Sequence, residues 1–258
     1  MRLGIEVDLV YRFPVPTDVL LQVEVAAMAD QRIEAERLTI WSDDPIRAAT
    51  GEDGIGQRNW SRAEGQWRAE YRGTVAIDRA TIDFSPLPAT APRNLDGHVV
   101  PYLLPSRYCP SDRFEGFVHS EFAGLEGGAL AAALVDWVAG ALTYASTGST
   151  GETTALDTFA SRSGVCRDYA HLLVSLARAG NIPARCVSAY APGVEPQDFH
   201  AVAELWLDGG WHLADATRMA GCGDIARVAV GRDATDIAFM TVFGTAELLE
   251  QSVRVKQL

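Results

Sequence analysis

One cysteine, one histidine and one aspartate in the C-terminal half of the chain have the types and settings that nucleophilic catalysis requires. Cys166 stands in Ser163-Gly164-Val165-Cys166-Arg167-Asp168-Tyr169-Ala170-His171, where a glycine loop turns into an apolar run that stops at Gly180. A helix over residues 165–179 puts the thiol in its first turn, among backbone N–H groups that lack intrahelical partners, at the positive end of the helix dipole. Such a setting favours thiolate over thiol and can lower a cysteine pKa from about 8.5 by one or more units. The same N–H groups can hold a developing oxyanion. Taken alone, Cys166 reads equally well as a small buried hydrophobe.

A base must face the thiol. His171 lies five positions further on, which turns it about 140° around the helix and away from Cys166; it is expected to be packed. His98 and His119 carry no catalytic mark. His200 and Asp215 are related by the hairpin signal Asp208-Gly209-Gly210 between two alternating strands. A two-residue turn there pairs Leu207 with Gly210 and sets Asp215 opposite Val202. Asp215 is then diagonal to His200 on the same face, about 7 Å away between backbones and within side-chain reach, whereas a three-residue loop would put the two on opposite faces. In the first register Asp215 can fix the His200 tautomer and leave the other ring nitrogen for a cysteine. Separately, His200 also reads as a packed core histidine and Asp215 as a turn residue beside Thr217.

The elements that must position these groups follow from periodicity. Residues 3–13 and 19–27 alternate as strands around the break Pro14-Val15-Pro16-Thr17-Asp18, and residues 33–41, 66–71 and 73–77 add three more. Residues 1–82 are therefore expected to form a small antiparallel β domain. Six prolines in residues 83–110 exclude regular elements and predict a linker or strap. Residues 111–258 are expected to form the catalytic domain: a short helix to Phe122, a longer one after Gly127-Gly128, the Cys166 helix, then strands at 184–190, 200–207 and 211–216, with further strands at 225–231 and 246–255. The fold class expected is α+β.

At 258 residues and 48% hydrophobic the chain can bury a sizeable core, and its net charge of −12 argues against a nucleic-acid partner, which needs a basic face. The start Met1-Arg2-Leu3-Gly4-Ile5-Glu6-Val7-Asp8 lacks the unbroken apolar run of a signal peptide, and residues 127–145 contain Asp136 and much alanine. A cytoplasmic protein with no membrane partner is the expectation. Cys109, Cys166, Cys186 and Cys222 offer neither a C-x-x-C pair nor zinc-finger spacing, and no acidic calcium loop occurs, so no cofactor and no metal are expected.

Four blocks in order resemble the transglutaminase-like (papain-like cysteine protease) superfamily, in its bacterial branch with an N-terminal β domain. They are Arg162-Ser163-Gly164-Val165-Cys166-Arg167-Asp168-Tyr169-Ala170, then Leu176-Ala177-Arg178-Ala179-Gly180-Asn181-Ile182-Pro183-Ala184-Arg185, then His200-Ala201-Val202-Ala203-Glu204-Leu205-Trp206, and finally Trp211-His212-Leu213-Ala214-Asp215-Ala216-Thr217. The resemblance is strongest over 155–220 and weak over the N-terminal segment. It implies a papain-like core with Cys166 as nucleophile, His200 as base and acid, and Asp215 as orienting group. The chain departs from the family in Val202, where tryptophan is usual, in Ala216, where proline is usual, and in Asn181, where glycine is common.

Three further residues are candidates for the site. Tyr108 and Val202 are placed in the cleft wall and Glu204 behind His200, with packing for Tyr108 and an exposed carboxylate for Glu204 as the plainer readings. The expected activity is thiol-dependent acyl transfer on amide or peptide bonds of a peptide or protein substrate through a thioester, ending in hydrolysis. Transfer to an amine, a catalytically silent peptide-binding module, and a structural Cys166–Cys186 disulfide are the rivals.

Overall fold

The structure, a computed structural model, describes residues 1–42 and 44–258. It is α+β, with two antiparallel sheets and a helical layer. In chain order the strands are β1 (Arg2–Leu21), β2 (Gln31–Trp41), β3 (Arg47–Thr50), β4 (Gln57–Ile77), β5 (Thr143–Tyr144), β6 (Ser163–Gly164), β7 (Ala184–Tyr190), β8 (His200–Leu207), β9 (Gly210–Ala214), β10 (Ala226–Gly231), β11 (Met240–Val242) and β12 (Glu247–Gln257). The helices are α1 (Glu115–Glu121), α2 (Gly127–Ala141), α3 (Ala155–Ser161), α4 (Cys166–Ala179) and α5 (Ala234–Ile237).

The first sheet is built on two long strands. β1 pairs with β4 along nearly its whole length, where two separate strands, one on each side of a break, were expected. The reason lies in Pro14 and Pro16. Neither can donate to the ladder, but the register shifts between Phe13 and Thr17, so both prolines fall in an irregularity and the strand continues past them. Leu3, Ile5, Val7 and Leu9 are buried on one face, as alternation requires.

The expected division of the chain needs one correction. Residues 240–257 do not stay with the catalytic part but return to β1, β12 pairing over Leu3 to Arg12 and β11 over Val19 to Leu21. A strand as long as β1 would otherwise expose a second row of unpaired backbone groups. The return also buries Val253 and Val255.

The second sheet runs β10-β7-β8-β9, with α4 packed across β7 and β8. Ala203, Leu205 and Leu207 share the large core with Leu172, Leu173 and Leu176 of α4. The proline-rich strap winds around the outside: the Gly128 N–H donates to Leu87 O at 2.8 Å, the Asp208 N–H to Pro88 O at 3.0 Å, and Arg178 reaches Leu104 O at 3.1 Å. No helix among the described residues is long and apolar enough to cross a membrane.

Glu204 joins the two sheets. It is fully buried and accepts from Arg185 Nε at 2.7 Å and from Arg227 at 2.7 Å. Arg227 pairs in turn with Asp30, which Arg79 holds at 2.5 Å, and Arg185 reaches Asp53 at 2.9 Å. Glu204 therefore does not stand behind His200 but anchors loops of the first sheet to the second. Glu204→Ala strands two buried guanidinium groups and is expected to cost about 3–5 kcal/mol, measured by urea denaturation; an unchanged midpoint would show that the network is not what couples the sheets.

Candidate active site

Asp168 holds the start of α4. Its buried carboxylate accepts the Val165 N–H at 2.8 Å and the Ser149 hydroxyl at 2.6 Å, while Arg167 donates to Ser149 at 2.9 Å and to Thr150 O at 2.6 Å. An acidic group in the first turn suits the helix dipole. The side chain folds back over Gly164, where an added Cβ would sit 2.6 Å from the Asp168 Cβ, so the residue two before the cysteine must be glycine. Cys166 is the first residue of the helix and is partly exposed.

Asp208 and Gly209 both adopt positive φ, 50° and 74°, and the turn pairs Leu207 with Gly210. This two-residue hairpin brings His200 and Asp215 to one side, with Nε2 of His200 2.9 Å from Asp215 Oδ2. Both side chains are buried. The Asp215 carboxylate also accepts from the Thr217 N–H at 2.9 Å, the Thr217 hydroxyl at 2.7 Å and the Ala220 N–H at 3.1 Å. Those bonds fix the turn at Ala216 without the proline common in the family.

With Nε2 on Asp215, Nδ1 has no other protein partner and is the nitrogen left for Cys166. Burial by itself pushes the His200 pKa down. Hydrogen bonding and charge from Asp215 and Cys166 outweigh it and lift the group to about 9. Burial likewise pushes Asp215 up, and the bonds to His200 and Thr217 overcome it, so its carboxyl lies below the usual range.

The other candidates are placed elsewhere. Val202 is buried in a small apolar cluster with Val187 and Leu213, out of reach of a substrate. Tyr108 stacks on His171 with ring centroids 5.1 Å apart and donates its hydroxyl to Gly151 O at 2.7 Å, so it packs the strap against α4. Sequence reasoning missed Tyr144, whose hydroxyl reaches Cys166. Its signal, an aromatic just past a helix end, is too common to single it out.

Cys186 faces Cys109 rather than Cys166, and the four thiols are free. The ligand atoms of Cys109, His171 and Cys186 lie within 4.8 Å of one another in full burial. His171 Nε2, however, accepts the Ala234 N–H at 3.0 Å, so the neutral ring carries its proton on Nδ1 and neither nitrogen offers a free lone pair. Burial pushes this histidine down to about 3 and keeps it neutral. The cluster is packed core rather than a metal centre.

The model of the transglutaminase-like superfamily matches residues 124–216. A crystal structure from Cytophaga hutchinsonii, described as a "Putative Cysteine Protease", is 33% identical and superposes with a TM-score of 0.94 over 99% of this chain and 90% of that one. The chain belongs to the transglutaminase-like superfamily. The uncharacterized protein ML0607 of Mycobacterium leprae is 34% identical over 101 residues, 35% of this chain and 36% of that protein, so the transglutaminase-like chain matches about a third of that relative's length. The periplasmic domain of TgpA from Pseudomonas aeruginosa gives a TM-score of 0.45 at 20% identity, over 82% of this chain and 75% of that one.

Gly164→Ala tests the built start of α4. The added methyl must displace the Asp168 carboxylate, and a loss of about 1–3 kcal/mol in urea denaturation is expected together with slower alkylation of Cys166. Unchanged stability and reactivity would mean that the close approach is not needed.

Proposed function

We propose that the chain is a thiol-dependent hydrolase of amide or peptide bonds in a peptide or protein substrate, working through a thioester on Cys166. The observation that carries this reading is the His200–Asp215 contact of 2.9 Å with the free ring nitrogen left toward Cys166 at a helix N-terminus. In the first half-reaction Cys166 Sγ attacks the carbonyl carbon. The His200 imidazolium, its charge opposed by Asp215, then gives the Nδ1 proton to the amine nitrogen as the C–N bond breaks. In the second half-reaction His200 takes a proton from water, whose oxygen attacks the thioester and expels the Cys166 thiolate. Asp215 stays ionised throughout and holds the ring.

Water is the proposed final acceptor because Cys166 is partly exposed, so solvent can reach the thioester. The description of the Cytophaga relative as a "Putative Cysteine Protease" supports the same choice.

Iodoacetamide is expected to alkylate Cys166 much faster than Cys109, Cys186 or Cys222, and Cys166→Ala should remove that fast phase. Equal, slow labelling of all four would overturn the reading. The proton on His200 is present at neutral pH and is lost as pH rises through about 9, so kcat/KM on a peptide amide should fall on its alkaline side near that pH, and the fall should be absent where acylation needs no leaving-group proton. Decay of a trapped acyl-enzyme should not quicken on adding a primary amine. If it does, the amine is the acceptor and the chain is a transglutaminase in activity as well as in fold.

A further inference from the structure

Tyr144, like His200, reaches Cys166 with its side chain. After α2 the chain lies parallel to the loop before α4, with Thr143 opposite Ser163 and Tyr144 opposite Gly164. The Thr143 N–H donates to Arg162 O at 2.9 Å and the Ala145 N–H to Gly164 O at 3.0 Å, so the Tyr144 backbone is pinned beside the residue two before the cysteine. Its ring leans on Tyr169, one turn into α4, at 5.9 Å between centroids. The hydroxyl lies against both the Cys166 thiol and the Cys166 backbone N–H. Burial and the neighbouring Cys166 push the phenol up to about 12, so the O–H keeps its proton across the working range.

The Cys166 N–H is uncommitted to the helix. The Asp168 and Tyr169 N–H groups donate to Val165 O and the Val165 N–H donates to Asp168, which leaves the Cys166 N–H as one of the orphan donors of the first turn. When Sγ bonds to a carbonyl carbon, the carbonyl oxygen comes to rest beside this N–H. The phenol stands beside the same N–H, and with 40% of Tyr144 exposed it has room to shift as an oxygen enters.

We propose that Tyr144 is a further catalytic residue: its O–H and the Cys166 N–H form the oxyanion hole, two donors converging on the carbonyl oxygen as the C=O π pair moves onto it. No proton is transferred in this step. The phenol stays protonated; when the intermediate collapses the oxygen lone pair re-forms the C=O π bond and the C–N pair leaves with the amine nitrogen, which takes the His200 proton. This rests on the acyl-transfer reading above and adds to it the group that stabilises its charged intermediate.

The test compares two reactions of the same thiol in Tyr144→Phe, which keeps the ring on Tyr169 and removes the donor. Acylation by p-nitrophenyl acetate passes through a tetrahedral oxyanion, whereas alkylation by iodoacetamide, a displacement at a saturated carbon, does not. The burst of p-nitrophenol should slow about 100-fold while the rate and pH midpoint of alkylation stay within about twofold. An unchanged burst would reduce Tyr144 to packing, and a parallel loss of both with an upward-shifted alkylation midpoint would make it a holder of the thiolate; either result overturns the proposal. Cys166→Ala provides the separation from the underlying reading. If it leaves the burst intact, the nucleophile assignment fails, whereas a Cys166-dependent burst that Tyr144→Phe does not slow removes the tyrosine alone.

Discussion

The arrangement of the site depends on the length of one turn. Side chains on a strand alternate faces with a period of two, so inserting a single residue between β8 and β9 would carry Asp215 to the opposite side of the sheet from His200. Asp208 and Gly209 prevent that by both adopting positive φ, which matches the twist of the flanking strands and closes the hairpin in two residues. Everything electrostatic at the site follows. Only in this register can Asp215 bond Nε2, hold the ring protonated against the effect of burial, and leave Nδ1 for the thiol.

The cysteine is positioned by an equally local device. Asp168 satisfies the amide before the helix and folds over Gly164, so the loop cannot move without breaking a buried charged hydrogen bond. Two short, rigid structures, a hairpin and a helix start, are thus brought face to face by the packing of α4 on β7 and β8. The apolar contacts of Leu172, Leu173 and Leu176 with the sheet set that approach.

The N-terminal sheet is more than an appended domain. Its loops supply Asp30, Asp53 and Arg79 to the buried ion network on Glu204, and Tyr71 stacks on Tyr190 of β7 at 6.5 Å. β12 holds the segment that leads into His200: Gln197 accepts from the Val255 N–H and donates to Val255 O, and Gln251 donates to Asp198. The histidine is therefore approached from one side by the second sheet and from the other by the last strand of the chain.

The helix start at Cys166, the hairpin at Asp208-Gly209, and the relation of His200 to Asp215 were legible in the sequence, because each depends on residues a few positions apart whose backbone preferences are strong. The α+β class was legible for the same reason, through periodicity. Periodicity reports that a face is covered but not by what. Val202 and Glu204 both alternate with His200, yet one is sealed in an apolar cluster and the other lies between two arginines from different strands. Tyr108 met His171, Tyr144 met Cys166, and residues 240–257 met β1 only through the tertiary fold. The amino-acid order by itself determined which groups could act and how each is locally held. Which of them share a site was decided by packing over long chain separations, where partners are selected by the fit of whole surfaces rather than by spacing along the chain.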